Sequence, residues 1–225
     1  NTIFVTNNFR AALQGSLIRI NNIQAGGGAT FDVMGAVAGS PLSNLANPID
    51  VIRDGNFLYV AEYQARGAGG QIRRINETTN AVDVLVANTN FCSSMVLDTS
   101  NGRKFLYIAE NGNTSGSGAQ GGIARIDLSP TSAFVAGSSL TTGGTGNTSS
   151  PGVTFIQPQT GDAAYANPFD LAIDDTGNVV ISEGITYFDP TTFVAQINQG
   201  RIRVIKGTVT GGAPSPTSRT ILTGL

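Results

Sequence analysis

The chain has 225 residues, 40% of them apolar and only 12% charged, with 29 Gly and neither His nor Trp. A net charge of −2 without any block of like charge lacks the basic footprint of a nucleic-acid binder, and no apolar run approaches the ~20 residues of a membrane span. Without His, Ser-His-Asp and Cys-His sites and imidazole metal ligands are excluded, while the single Cys92 excludes a disulfide framework and a cysteine-built zinc site.

In chain order, the first strand signal is Thr2-Ile3-Phe4-Val5-Thr6-Asn7, followed by Gly15-Ser16-Leu17-Ile18-Arg19-Ile20. Next come Asn47-Pro48-Ile49-Asp50, a turn at Asp54-Gly55, Phe57-Leu58-Tyr59-Val60-Ala61-Glu62, and Gly70-Gln71-Ile72-Arg73-Arg74-Ile75. A further strand signal covers Ala81–Val86. The third copy has a degenerate opening, Ser94-Met95-Val96-Leu97-Asp98, and then Phe105-Leu106-Tyr107-Ile108-Ala109-Glu110 and Gly121-Gly122-Ile123-Ala124-Arg125-Ile126. Gly/Thr/Ser-rich sequence around Gly137–Asp162 reads as a long loop or decorated insertion. The fourth copy runs Asn167-Pro168-Phe169-Asp170, a turn at Asp174–Gly177, Asn178-Val179-Val180-Ile181-Ser182-Glu183, Gly200-Arg201-Ile202-Arg203-Val204-Ile205 and Ser218–Leu222. No segment carries a convincing helical period.

Short strands rich in Val, Ile, Phe and Tyr, recurring four to a unit of roughly 50 residues, predict an all-β fold. The predicted fold class is a β-propeller of four-stranded antiparallel blades, each packing face to face on its neighbours. Four blades are readable, at about 1–40, 41–90, 91–160 and 161–225, within a single domain spanning 1–225.

Asn-Pro-x-Asp, an Asp/Gly turn, Leu-Tyr-Val-Ala-Glu and Gly-x-Ile-x-Arg-Ile together resemble the NHL-repeat family and its six-bladed relatives. Those relatives include gluconolactonase-like and strictosidine-synthase-like enzymes and secreted bacterial NHL-type propellers such as those of scytonemin gene clusters. The resemblance covers nearly the whole chain and implies a ring of six blades, of which four are legible. The first blade lacks its innermost strand, which is expected either because the chain is part of a longer one or because another molecule supplies the strand. The second case predicts a homo-oligomer or filament through an unpaired blade edge.

In a propeller, Asp50 and Asp170 would begin innermost strands, and Glu62, Glu110 and Glu183 would end second strands. All five carboxylates, with Asn7 and Ser94 as counterparts, are expected on one face near the channel mouth. The loops Asn8–Gln14, Tyr63–Gly69, Asn111–Gln120 and Gly184–Gln199 are expected to open there and to bind a protein or glycan ligand. Two readings of the carboxylates stand. Either they hold Ca²⁺ or a similar hard cation through oxygen ligands, or each Glu caps its own unit by accepting backbone hydrogen bonds. The recurring Arg19, Arg74 and Arg125 predict a ladder between blades, pairing with carboxylates such as Asp54 or Asp174.

An Asn/Thr/Ser/Gly-rich surface with few lysines and the sequons at Asn76, Asn113 and Asn147 predict a secreted protein, extracellular or periplasmic, open to glycosylation. The functional expectation is a non-enzymatic binding or structural propeller, able to self-assemble. The alternative is a metal-dependent hydrolase or lactonase using the acidic channel mouth.

Overall fold

Wherever the apolar columns recur, the backbone is extended, and the turns between columns fall at the Asp/Gly and Asn/Thr clusters. The structure, a computed structural model, describes residues 2–9, 14–21, 28, 30–34, 45–62, 70–89, 92–102, 104–110, 121–130, 132–140, 151–162, 165, 167–188, 195–205 and 217–223. Its strands are β1 (Thr2–Phe9), β2 (Gln14–Asn21), β3 (Thr30–Met34), β4 (Pro48–Asp54), β5 (Phe57–Glu62), β6 (Gly70–Asn76), β7 (Val82–Thr89) and β8 (Cys92–Asp98). The series continues with β9 (Phe105–Glu110), β10 (Gly122–Asp127), β11 (Ser138–Ser139), β12 (Val153–Pro158), β13 (Pro168–Ile173), β14 (Val179–Phe188), β15 (Ala195–Ile205) and β16 (Thr217–Thr223). One turn of 3-10 helix at Ser100–Gly102 is the only helical element among the described residues. The fold is all-β.

The strands form three sheets: β1-β2-β3, β11-β7-β6-β5-β4, and an eight-stranded sheet ordered β13-β14-β15-β16-β12-β10-β9-β8. Within them, β4 to β7, β8-β9-β10-β12 and β13 to β16 are antiparallel runs of four. A short parallel joint, Gln157↔Thr217 and Pro158↔Ser218, links two of these runs at their outer edges. The opposite ends of that large sheet, β8 and β13, pack side by side, so it is nearly closed and barrel-like.

The runs β4 to β7 and β8-β9-β10-β12 are apolar on both faces because each lies between two other sheets, and the motif Leu-Tyr-Val-Ala-Glu divides its side chains accordingly. Leu58 and Val60 join Leu17, Met34 and Phe4 of the β1–β3 sheet in one core cluster. Tyr59 and Ala61, on the other face, join Met95, Leu106 and Ile108 in the next. One unit further on, Tyr107 and Ala109 join Leu171, Val179 and Ile181. Cys92, fully buried, lies in the middle cluster.

Two sequence expectations are corrected. Inside Gly137–Asp162, read as loop, β11 pairs with β7 and β12 forms the fourth strand of its run. Residues 141–150 of that stretch lie outside the described residues. Within Gly184–Gln199, also read as loop, residues 185–188 and 195–198 continue the pairing of β14 with β15. After a bulge at Glu183/Ile185, pairing resumes from Ile185↔Asn198 to Phe188↔Ala195. The bulge beside Gly184 had obscured that the ladder continues.

Candidate functional site

The same backbone irregularity recurs at the start of β4, β8 and β13. Register shifts at Pro48/Asp50, Cys92/Ser94 and Pro168/Asp170 mark a β-bulge in each copy. A bulge places one extra residue and re-aims the next side chain, so Ile49, Ser93 and Phe169 are equivalent, as are Asp50, Ser94 and Asp170. Asn47, just before the first copy, adopts φ 49°, a left-handed conformation that asparagine tolerates well.

The re-aimed oxygens reach the next strand in the series β4, β8, β13. Asp50 Oδ2 accepts Met95 N at 2.6 Å, and Ser94 Oγ accepts Leu171 N at 3.3 Å. Each time the donor is the residue that follows the equivalent position in the next unit, Met95 after Ser94 and Leu171 after Asp170. Ser93 extends the contact by donating to Pro168 O at 2.9 Å. The Ser94 hydroxyl also donates to Asp170 Oδ1 at 2.9 Å, and Asp170 and Asp50 each accept the amide of their own following residue.

Burial pushes the Asp50 carboxyl above its ordinary value of 3.8; the hydrogen bonds from Met95 and Val51 oppose the rise and the Asp170 charge adds to it. Because folded Asp50 takes up its proton at higher pH than the unfolded chain, its stabilising contribution is complete below 3.8 and is lost as pH rises through the folded value. Two outcomes follow. Asp50→Ala strands the Met95 amide and lowers stability by about 1–3 kcal/mol. Asp50→Asn keeps an acceptor and costs less, and urea titrations across this pH range should show the variant lacking the wild-type gain on acidification.

The glutamates that close the second strands are buried: Glu62 and Glu110 are fully so, and Glu183 nearly. Glu62 accepts from Ala46 N at 2.8 Å, Arg73 Nε at 2.8 Å and the Gln71 side-chain amide. Burial raises its carboxyl despite the Arg73 guanidinium. Glu183 Oε2 accepts Arg203 Nε at 3.0 Å, with Arg201 at 3.9 Å. The Arg203 side chain has no solvent exposure and lies 5.0 Å from the Tyr165 ring centroid, whose hydroxyl donates to Ser218 Oγ at 2.5 Å. Glu110 makes polar interactions of its own and helps burial raise the Cys92 thiol well above its ordinary value, alongside Asp50.

Arg73 and Arg203 are the partners that sequence reasoning missed. They occupy the column just before Arg74, Arg125 and Val204. The hairpin register held the signal: Val60↔Arg73 and Ile181↔Arg203 put each arginine diagonal to the glutamate two residues along, on the same face.

For Arg74 and Arg125 the expected arginine ladder is also corrected. Arg74 pairs with Asp83 at 2.9 Å within its own run and covers Phe57, and Arg125 lies 4.6 Å over Phe105. Asp54 instead takes Lys104 at 2.5 Å. Asp174 caps its own turn, accepting from Asn178 and Thr176, which lowers its carboxyl to about 2.

Of the five predicted carboxylates, the structure brings Asp50 and Asp170 to either side of Ser94. Glu62 and Glu183 lie on arginines instead. Among the described residues, no three His, Cys, Asp or Glu side chains are grouped to hold one metal ion. Asn76 closes the β6/β7 turn, its Oδ1 accepting Thr78 N at 2.9 Å and Thr79 N at 3.1 Å, with Thr78 exposed. Asn113, Asn147, Tyr63–Gly69 and Asn111–Gln120 lie outside the described residues, and so do residues 10–13 and 189–194 of the other two expected loops. The Asn7 side chain lies outside them too.

Beside these strands, Ile52, Met95, Val96, Leu97 and Ile173, with Arg53, Asp54 and Thr99, line an open cleft of ≈ 500 Å³.

No family model matches this chain, and no curated protein does. The site therefore has to be read from its own chemistry. Its polar groups are arranged to join one strand run to the next, with acceptor and donor alternating along the series β4, β8, β13.

Proposed function

We propose that the chain is the greater part of a β-propeller of the NHL-repeat kind, acting outside the cytoplasm as a non-catalytic binding or structural module. Runs of four antiparallel strands that follow chain order, with β1, β4, β8 and β13 packed in series, support the ring arrangement. Blades at about 1–40, 41–90, 91–160 and 161–225 accommodate the strands, and closure into six blades remains part of the proposal.

One observation carries the non-catalytic reading. The carboxylates at the start of the inner strands and the end of the second strands are committed to internal partners: Asp50 to Met95 N, Asp170 to Ser94 and Leu171 N, Glu62 to Arg73, Glu183 to Arg203. A hard cation takes six to eight oxygens, and a general acid or base needs a lone pair aimed at a substrate. Side chains held by Arg73, by the buried Arg203 and by neighbouring amides offer neither. Ligand recognition then falls to the loops that join second and third strands, and glycosylation at an accessible sequon such as Asn76 fits a secreted surface rich in Asn, Ser and Thr.

Thermal melts with millimolar CaCl₂ and with EDTA test this reading. The expected midpoint is the same in both. A rise with Ca²⁺ that Asp170→Asn abolishes would overturn it in favour of a metal-dependent hydrolase.

A further inference from the structure

Strands β4, β8 and β13 each lie at the edge of a sheet, and β8 packs against both of the others. One side of the β8 backbone pairs with β9, and the other side meets no strand. The direction of Met95 N shows which groups face that open side. It donates to Asp50 Oδ2 at 2.6 Å and so points away from β9. Residues of an antiparallel strand alternate in direction, so the Met95 carbonyl and the Leu97 N–H and carbonyl point the same way. Asp50 occupies Met95 N, but the other three groups have no partner among the described residues.

This part of the edge borders the cleft of ≈ 500 Å³, whose lining includes Met95, Val96 and Leu97. That volume falls within the range of about 300–1,000 Å³ typical of small-ligand sites. Its walls are apolar on both sides of β8. Ile52, Met95 and Leu97 belong to the cluster shared with the β4 run, and Val96 and Ile173 to the cluster shared with the β13 run. The charged residues of the lining are already paired, Arg53 with Glu77 at 2.6 Å and Asp54 with Lys104 at 2.5 Å. A charged ligand would find no free counter-ion there. What fits is uncharged, offers amide donors and acceptors in line, and carries apolar groups to both sides. An extended polypeptide does all three, because its successive side chains point to opposite faces.

We propose that a short, uncharged, extended segment of another protein binds in this cleft by adding as a strand to the free part of the β8 edge. Unpaired strand edges recruit strands in this way, with main-chain hydrogen bonds giving affinity and side-chain pockets giving preference. Met95 to Thr99 spans about 13 Å at ~3.3 Å per residue, room for a segment of about four residues. The site is separate from the loops that join second and third strands. It depends on the pairing of β8 with β9 and on the two adjoining clusters, whatever the number of units in the ring.

The test probe is the blocked peptide acetyl-Thr-Val-Ile-Thr-amide, titrated to millimolar concentration into the isotope-labelled chain and followed by amide NMR. Saturable shifts are expected at Leu97 and its neighbours in the cleft, and hydrogen exchange at the Leu97 amide should slow. The same peptide methylated on its Val and Ile nitrogens keeps the apolar groups but loses the donor that faces β8. It should bind about 3–10-fold more weakly, the worth of one hydrogen bond. Thr99 is exposed and lines the cleft, so Thr99→Trp should narrow it and abolish the shifts with an unchanged melting midpoint. Thr99→Arg repeats the test should that variant fail to fold. No saturable shifts, shifts centred away from β8, equal affinity of the methylated peptide, or undiminished binding by a folded Thr99 variant would each overturn strand addition.

Discussion

Arg203→Leu is expected to lower stability by about 3–5 kcal/mol, the cost of leaving a buried charge without its counter-ion. For a chain of this length that corresponds to a melting midpoint roughly 6–20 °C lower. Arg203 and Glu183 both have side chains with no solvent exposure, and Arg203 Nε stands 3.0 Å from Glu183 Oε2. The guanidinium also covers the Tyr165 ring and approaches Asp162 at 3.8 Å. Removing the arginine leaves Glu183 facing apolar neighbours, with only the more distant Arg201 in reach. Glu183→Leu alone should cost a similar amount for the converse reason. The double variant is expected to recover much of the loss, because a buried pair replaced by apolar groups no longer carries its desolvation cost. Chemical denaturation of the four proteins closes a double-mutant cycle. Additive losses would show that the two side chains are not coupled.

That pair illustrates what the sequence discloses and what it hides. The strand columns were legible because the two middle runs are sandwiched: Leu58-Tyr59-Val60-Ala61 and Leu106-Tyr107-Ile108-Ala109 are apolar without interruption, and two sheets cover them. Recurrence then set the unit length. Glu62 and Glu183 were visible as conserved columns within the chain, yet their burial depends on the neighbouring sheet, and their arginines depend on hairpin register. The glutamate cap predicted for each unit is present at Glu62, which accepts Ala46 N, but Arg73 is added to it. In the third copy Ala124 fills the Arg73 column, so the column alone could not announce the pairing. Val153–Pro158 escaped notice because four apolar or β-branched residues after Pro151-Gly152 carry little local signal; their pairing with β10 makes them a strand. Of the five carboxylates expected on one face, proximity was legible for Asp50 and Asp170. The bulge that aims them at the next strand was not, since it is a property of two paired strands.

Gly70→Ala is the second substitution expected to be severe, and its reason lies in the same corner of the fold. Glycine recurs at the same column of the repeat in all four copies, at Gly15, Gly70, Gly121 and Gly200. At Gly70 an added Cβ would stand 2.5 Å from the backbone oxygen of Glu62 and 2.6 Å from Thr89 Oγ1. Thr89 is itself fully buried and paired in register with Gly70, so neither neighbour has space to retreat. The φ of Gly70 is not among the positive ones, so the demand is for room and not for left-handed backbone. Relief would require β5 and β7 to move apart, pulling Glu62 away from Arg73 and Ala46 N. Overpacking of this kind costs about 1–3 kcal/mol, and the backbone oxygen places Gly70→Ala at the upper end. Gly184→Ala is the internal control. Its Cβ would meet nothing within 4 Å, so its stability should stay within about 0.5 kcal/mol of wild type. Equilibrium urea curves compare the two directly. If Gly70→Ala proved as mild as Gly184→Ala, the close approach of β5, β6 and β7 around Glu62 would be wrong, and with it the claim that this carboxylate is locked into the architecture.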